Sequence, residues 1–141
     1  MGDLAGLIRA VDHVGFPSHH DDWIEIQAFW ESLEMTCSIK EIEDEDYDHA
    51  GKGPRLQVFS GAQLLVSYFI TNLPAGSIRR SMRSQHLGLT MCPPALDAVR
   101  THPNFDRETP WGMSNTSIFL RGPYGLHVEL VTTDPGYHAD A

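Results

Sequence analysis

The 141-residue chain has few cysteines, few cations and no long apolar run. Only Cys37 and Cys92 occur, with no CxxC pair. A disulfide scaffold is therefore not expected, and a reducing, cytoplasmic setting is. No apolar stretch approaches the roughly 18 residues that a membrane span needs. The first ten residues lack a basic segment followed by an apolar one, so no secretory signal is expected. Ten Lys and Arg stand against 19 Asp and Glu, a formal charge of −9. Such a surface repels phosphate backbones, which disfavours nucleic acid as a partner. Hydrophobic residues make up 41% and charged residues 21%, the balance of a globular domain rather than a disordered chain. The length suits one domain, 1–141, with a single core.

The charge is unevenly placed. Glu41, Glu43, Asp44, Glu45, Asp46 and Asp48 form one acidic run. Its alternate spacing is like that of a calcium loop, but His49 stands where such a loop turns on glycine and Arg55 where it ends on glutamate. A mobile acidic loop is the expectation. Arg79, Arg80 and Arg83 lie within five positions. They suit a solvated linker that balances the acidic surface, or else recognition of a substrate carboxylate or phosphate.

Two segments repeat one pattern, x-His-apolar-Gly-apolar: Asp12-His13-Val14-Gly15-Phe16 and Gln85-His86-Leu87-Gly88-Leu89. Each has strand alternation and leads through a turn to a helical pattern. The first helix is expected over 22–35, with Trp23, Ile26, Trp30 and Leu33 on one face and Asp22 and Glu25 as a capping box. The second is expected over 93–100, opened by proline and stopped by Pro103. Strands follow over 37–42, 55–60 and 64–69. In the second half they are a weak stretch near Phe105, then 116–121 and 126–132. Residues 56–68 align with 118–130 at an offset of 62. Both halves read β-α-β-β-β. The fold class is α+β: module 1 over about 5–70, a linker over 71–84, and module 2 over about 85–133.

Alternation assigns the strand faces. Leu87, Leu89 and Met91 oppose His86, Gly88 and Thr90. Val14 and Phe16 oppose Val11, His13 and Gly15. Leu126, Val128 and Leu130 oppose His127 and Glu129. The polar faces thus gather His13, His86, His127 and Glu129, with small residues beside the repeated histidines that leave room for a ligand. Two imidazoles and a carboxylate form a facial ligand set for a divalent metal. The plainer alternative is that each histidine is a half-buried strand residue.

In the order and spacing of these motifs, with the helix end Phe29-Trp30-Glu31-Ser32-Leu33-Glu34 and the closing run from Phe119 to Leu130, the chain resembles the vicinal oxygen chelate superfamily. That group includes glyoxalase I, fosfomycin-resistance thiol transferases, extradiol dioxygenases and metal-free antibiotic-binding proteins. The resemblance implies paired modules forming a curved mixed sheet around a metal, with His13, His86 and Glu129 at three family ligand positions. Fe(II) is the favoured metal, with Mn, Co, Ni or Zn alternatives. Glyoxalase I usually has a fourth ligand where this chain has Leu65 or Ser67, which leaves the three-ligand set of the dioxygenase and thiol-transferase branches. Phe119 stands where the dioxygenase branch has tyrosine, and Gly15 where the thiol transferases have threonine.

The expected function is an Fe(II) extradiol-type dioxygenase acting on a small catechol-like substrate. A non-redox transferase, epimerase or lyase and a metal-free binding protein are the alternatives. His127 is the candidate general base, or else it orients Glu129. Trp111, Tyr124 and Phe119 are candidate pocket walls, and Arg79, Arg80 and Arg83 candidate anion contacts. The implied partner is a small-molecule substrate, and family members often form homodimers.

Overall fold

A computed structural model describes residues 6–7, 10–41, 53–91, 98–106 and 117–132. The chain divides into two compact units, Met1–Leu73 and Pro74–Ala141.

The first unit runs β1 (Val14–Ser18), α1 (Trp23–Glu31), β2 (Thr36–Lys40), β3 (Arg55–Ser60) and β4 (Gln63–Ile70). Its sheet order is β1-β4-β3-β2, with β1 parallel to β4 and the other pairs antiparallel. Phe16, Leu56, Val58, Val66 and Tyr68 are buried on one face, with Trp23, Ile26, Phe29 and Trp30 of α1. Two indoles tie the helix to the sheet. Trp30 Nε1 donates to Tyr68 Oη (3.0 Å), and Trp23 Nε1 donates to Ser18 Oγ (2.9 Å), which itself donates to the Phe69 carbonyl (2.9 Å).

α1 is shorter than the expected 22–35. A 3-10 turn, His20–Asp22, feeds straight into it, so Asp22 already has helical dihedrals and its carboxylate makes no capping bond. The helix ends because Glu34 takes a left-handed φ of 63° and sends the chain into β2.

The second unit runs α2 (Ala75–Arg83), β5 (His86–Met91), β6 (Ser117–Arg121) and β7 (His127–Thr132), with sheet order β5-β7-β6. β5 is parallel to β7, and β6 antiparallel to it. A single bridge from Phe105 to Leu120 adds an edge outside β6. The order first-last-third-second of the first module is thereby repeated, with the weak stretch near Phe105 reduced to one bridge. Ile118, Leu120, Leu126, Val128 and Leu130 are buried on one face.

The stretch 71–84, expected as a linker, instead carries α2. Ile78 and Met82, one turn apart, are its buried residues, and Arg79, Arg80 and Arg83 share the remaining surface. The arginines decorate an amphipathic helix. Of the helix expected over 93–100 only the end, residues 98–99, is described and helical; 93–97, the acidic run over 43–48, Cys92 and Trp111 lie outside the described residues. Among the described residues, no helix is long and apolar enough to cross a membrane.

Candidate functional site

Strand register converts each sheet into rows of side chains on a common face. On the polar face of the second sheet, one row reads Arg121, His127, His86 and the next Phe119, Glu129, Gly88. The third is Ser117, Val131, Thr90. The bridge at Phe105 puts Asp106 beside Phe119, where its N–H donates to the Phe119 carbonyl (2.9 Å). Three expected site residues, His86, His127 and Glu129, thus share one face within one unit, with Phe119 among them.

His86 Nε2 lies 3.6 Å from Glu129 Oε1. The His86 side chain is 57% exposed and that of Glu129 24%, so both remain reachable from one side. Gly88 sits beside Glu129, and a Cβ built on it would come 4.0 Å from Oε1. Two ligands each about 2.1 Å from a shared ion stand about 3.0–3.4 Å apart at octahedral to tetrahedral angles. The observed gap of 3.6 Å is wider than that range. Among the described residues, no group of three or more His, Cys, Asp or Glu side chains is placed to hold a metal.

His127 sits beside Arg121 and Asp106. Arg121 Nη1 donates to its Nε2 (3.2 Å), and its Nδ1 faces Asp106 Oδ2 at 3.9 Å. A guanidinium has no lone pair to offer, so Nε2 is the acceptor and the neutral ring carries its proton on Nδ1, toward the carboxylate. Arg121 Nε also pairs with Asp106 Oδ2 at 3.0 Å. Asp106 is buried, Arg121 half exposed, and the three form one network along the edge of the polar face. The Phe119 ring lies edge-on to His86 and His127, at 6.2 and 6.4 Å between centroids. Asp106 and Arg121 escaped the sequence reading. Arg121 continues the alternation that places Phe119, but Asp106 follows a stretch with almost no strand pattern.

In the first unit His13 precedes β1 and is exposed, and its Nδ1 hydrogen-bonds Asp12 Oδ1 at 2.7 Å. A carboxylate accepts here, so Nδ1 carries a proton, and in the neutral tautomer Nε2 bears the lone pair. The adjoining row on this sheet reads Gly15, Ser67, Gln57, Ser38. It repeats the row Gly88, Glu129, Phe119, Asp106 of the second unit. Of the two candidates for the fourth family position, Ser67 is therefore the one equivalent to Glu129.

The remaining candidates sit apart from these rows. Arg79 and Arg80 are exposed on α2, and Arg80 Nη2 donates to Ser77 Oγ at 3.3 Å. Arg83 lays its stem on the turn Pro123–Gly125: a Cβ on Gly125 would stand 3.1 Å from Arg83 Cγ. Tyr124, half-buried in that turn, has a left-handed φ of 57°. Cys37 lies on β2, and burial, with Glu31 nearby, pushes its thiol up to about 11. That is the setting of an inert thiol rather than a nucleophile.

No known family profile and no curated protein sequence matches the chain. Solved structures do. A protein from the mobile metagenome of V. pseudocholerae superposes with a TM-score of 0.57 at 20% identity, covering 90% of this chain and 96% of that one. A bleomycin resistance determinant encoded on transposon Tn5 gives 0.54 at 14%, covering 89% and 98%. TnmS3, an antibiotic-binding protein from Streptomyces sp. CB03234, gives 0.51 at 19%, covering 90% and 98%. What the chain shares with these proteins is their fold, α+β and built of β-α-β-β-β modules.

Proposed function

We propose that this chain is a metal-dependent enzyme of the vicinal oxygen chelate superfamily, in which His13, His86 and Glu129 hold one divalent ion against a small oxygen-bearing substrate. The observation that carries the reading is the His86–Glu129 pair, two lone-pair donors 3.6 Å apart beside a glycine. A pair is too few for a stable site. His13 supplies the third donor as the repeat equivalent of His86, with Asp12 holding its tautomer. Ser67 at the fourth position leaves three protein ligands and hence open places for substrate.

Fe(II) fits this neutral-neutral-anionic set best, with Mn, Co, Ni or Zn alternatives. When bound, such an ion supplies Lewis acidity and, if it is iron, dioxygen activation. The chain's own residues do the rest. Asp12 orients His13. Arg121 and Asp106 fix the orientation of His127 at the end of the ligand row. Phe119, nearly sealed from solvent, gives that row an apolar wall beside Glu129. The favoured chemistry is extradiol-type cleavage of a catechol-like substrate. Thiol transfer, epimerisation or lyase chemistry uses the same ligands.

A second reading is a binding protein that works without metal. It is favoured by the names of two structural neighbours, a bleomycin resistance determinant and an antibiotic-binding protein. An oxygen electrode separates the readings. Protein loaded with Fe(II) without air and mixed with a catechol panel is expected to consume oxygen, and Glu129→Ala is not. Metal binding without oxygen uptake moves the assignment to non-redox chemistry. Binding of an aromatic ligand that is equal in wild type and Glu129→Ala, with no turnover, favours the binding protein.

A further inference from the structure

We infer that the polar face of the first sheet carries a second binding site, for an oxyanion (the carboxylate or phosphate group of a small organic ligand), with Arg55 and Lys40 as its cations.

Lys40 on β2 and Arg55 on β3 are directly opposed in the antiparallel ladder. Their side chains therefore leave the same face side by side. Like charges in that relation repel, and a sheet carries them only at a cost. Acids are abundant in this chain, 19 of them, yet among the described residues no carboxylate pairs with either cation. Arg55 has two neutral neighbours instead. Its Nη1 donates to the Gly53 carbonyl (3.3 Å), and its guanidinium carbon stands 5.8 Å from the centroid of the Phe69 ring. Phe69 is its cross-strand partner on β4, so the ring lies in the same row.

This arrangement favours an anion. A half-buried guanidinium held over a ring gives up less freedom on binding than a free one. Its planar fork matches the two oxygens of a carboxylate or phosphate, and Lys40 adds a second charge from the facing strand. An anion between the two would also remove their repulsion. The next row of the face supplies a neutral polar group, Gln57. It can hydrogen-bond the uncharged part of a ligand.

The site lies wholly within the first unit and needs no metal, so it stands or falls apart from the metal reading. The test titrates inorganic phosphate and, separately, benzoate into the full-length, chelator-treated protein at low ionic strength. Side-chain and backbone N–H signals of Arg55, Lys40 and Gln57 are followed by NMR. Saturable shifts centred on Arg55 are expected. Binding should weaken at least tenfold in Arg55→Gln and several-fold in Lys40→Gln, and fall as salt is raised. Tighter benzoate supports a carboxylate-bearing aromatic ligand, and tighter phosphate a phosphate ester. The absence of saturable shifts with both probes overturns the proposal, as do equal affinities in wild type and Arg55→Gln. If Arg55→Gln fails to fold, Lys40→Gln and the charge-keeping Arg55→Lys carry the test: unchanged affinity in Lys40→Gln overturns it.

Discussion

Ser67 and Glu129 occupy the same place in the two halves of the chain. Each lies on the last strand of its module, between the glycine that follows the repeated histidine motif and a residue of the third strand: Gly15 and Gln57 for Ser67, Gly88 and Phe119 for Glu129. One half carries a carboxylate there and the other a hydroxyl. Ser67→Glu should therefore behave in a metal-sensitive way. Ser67 is only 8% exposed, so an added carboxylate without a partner is expected to cost about 1–3 kcal/mol in metal-free protein. Divalent metal should recover much of that loss, measured as the difference in thermal unfolding with and without the ion. An equal loss in both conditions would show that Ser67 does not face the metal.

Arg121 offers a test of the network around His127. Arg121→Met removes the guanidinium that pairs with the buried Asp106 carboxylate at 3.0 Å. The expected loss is about 1–3 kcal/mol in urea unfolding, below the figure for a fully buried pair because Arg121 is half exposed. Adding Asp106→Asn should recover part of it. Strict additivity of the two changes would mean that the residues do not act on each other.

Tyr68 anchors α1 to the first sheet. Tyr68→Phe removes the acceptor of the fully buried Trp30 indole N–H and should cost about 1–2 kcal/mol. Chemical denaturation reads this directly. A change near zero would mean that the indole finds another acceptor.

Cys37 supplies a pH signature. With a thiol raised to about 11, very little thiolate is present at pH 8. The higher basicity of that thiolate offsets only part of the deficit. Alkylation of Cys37 in a Cys92→Ser background should run roughly 20-fold slower than that of an unperturbed thiol. The rate should then rise nearly tenfold for each unit of pH until the thiol itself titrates. A rate at pH 8 equal to that of a small free thiol would contradict the burial seen on β2.

The legible parts of the sequence were those in which one residue reports its own surroundings. Strand alternation separates Leu87, Leu89, Val128 and Leu130 from His86, Gly88, His127 and Glu129, because each sheet buries one face and leaves the other more open. The repeated histidine motif likewise announces two modules. What stayed hidden depends on partners distant in sequence. Asp106 meets Arg121 only because a single bridge at Phe105 completes the sheet edge. α2 was masked by glycine, serines and three arginines, and only Ile78 and Met82, spaced by one turn, betray its buried face. Asp22 has the sequence of a cap, but the 3-10 turn before α1 denies it the dihedrals of one.

His13, His86 and Glu129 are proposed to share one metal. Elemental mass spectrometry of protein purified without air, beside Glu129→Ala and His13→Ala, decides this. About one divalent ion per chain is expected in the wild type, iron before the alternatives, with its loss in both variants. A wild type that holds no metal even after reconstitution would overturn the shared site, and so would a metal retained in either variant.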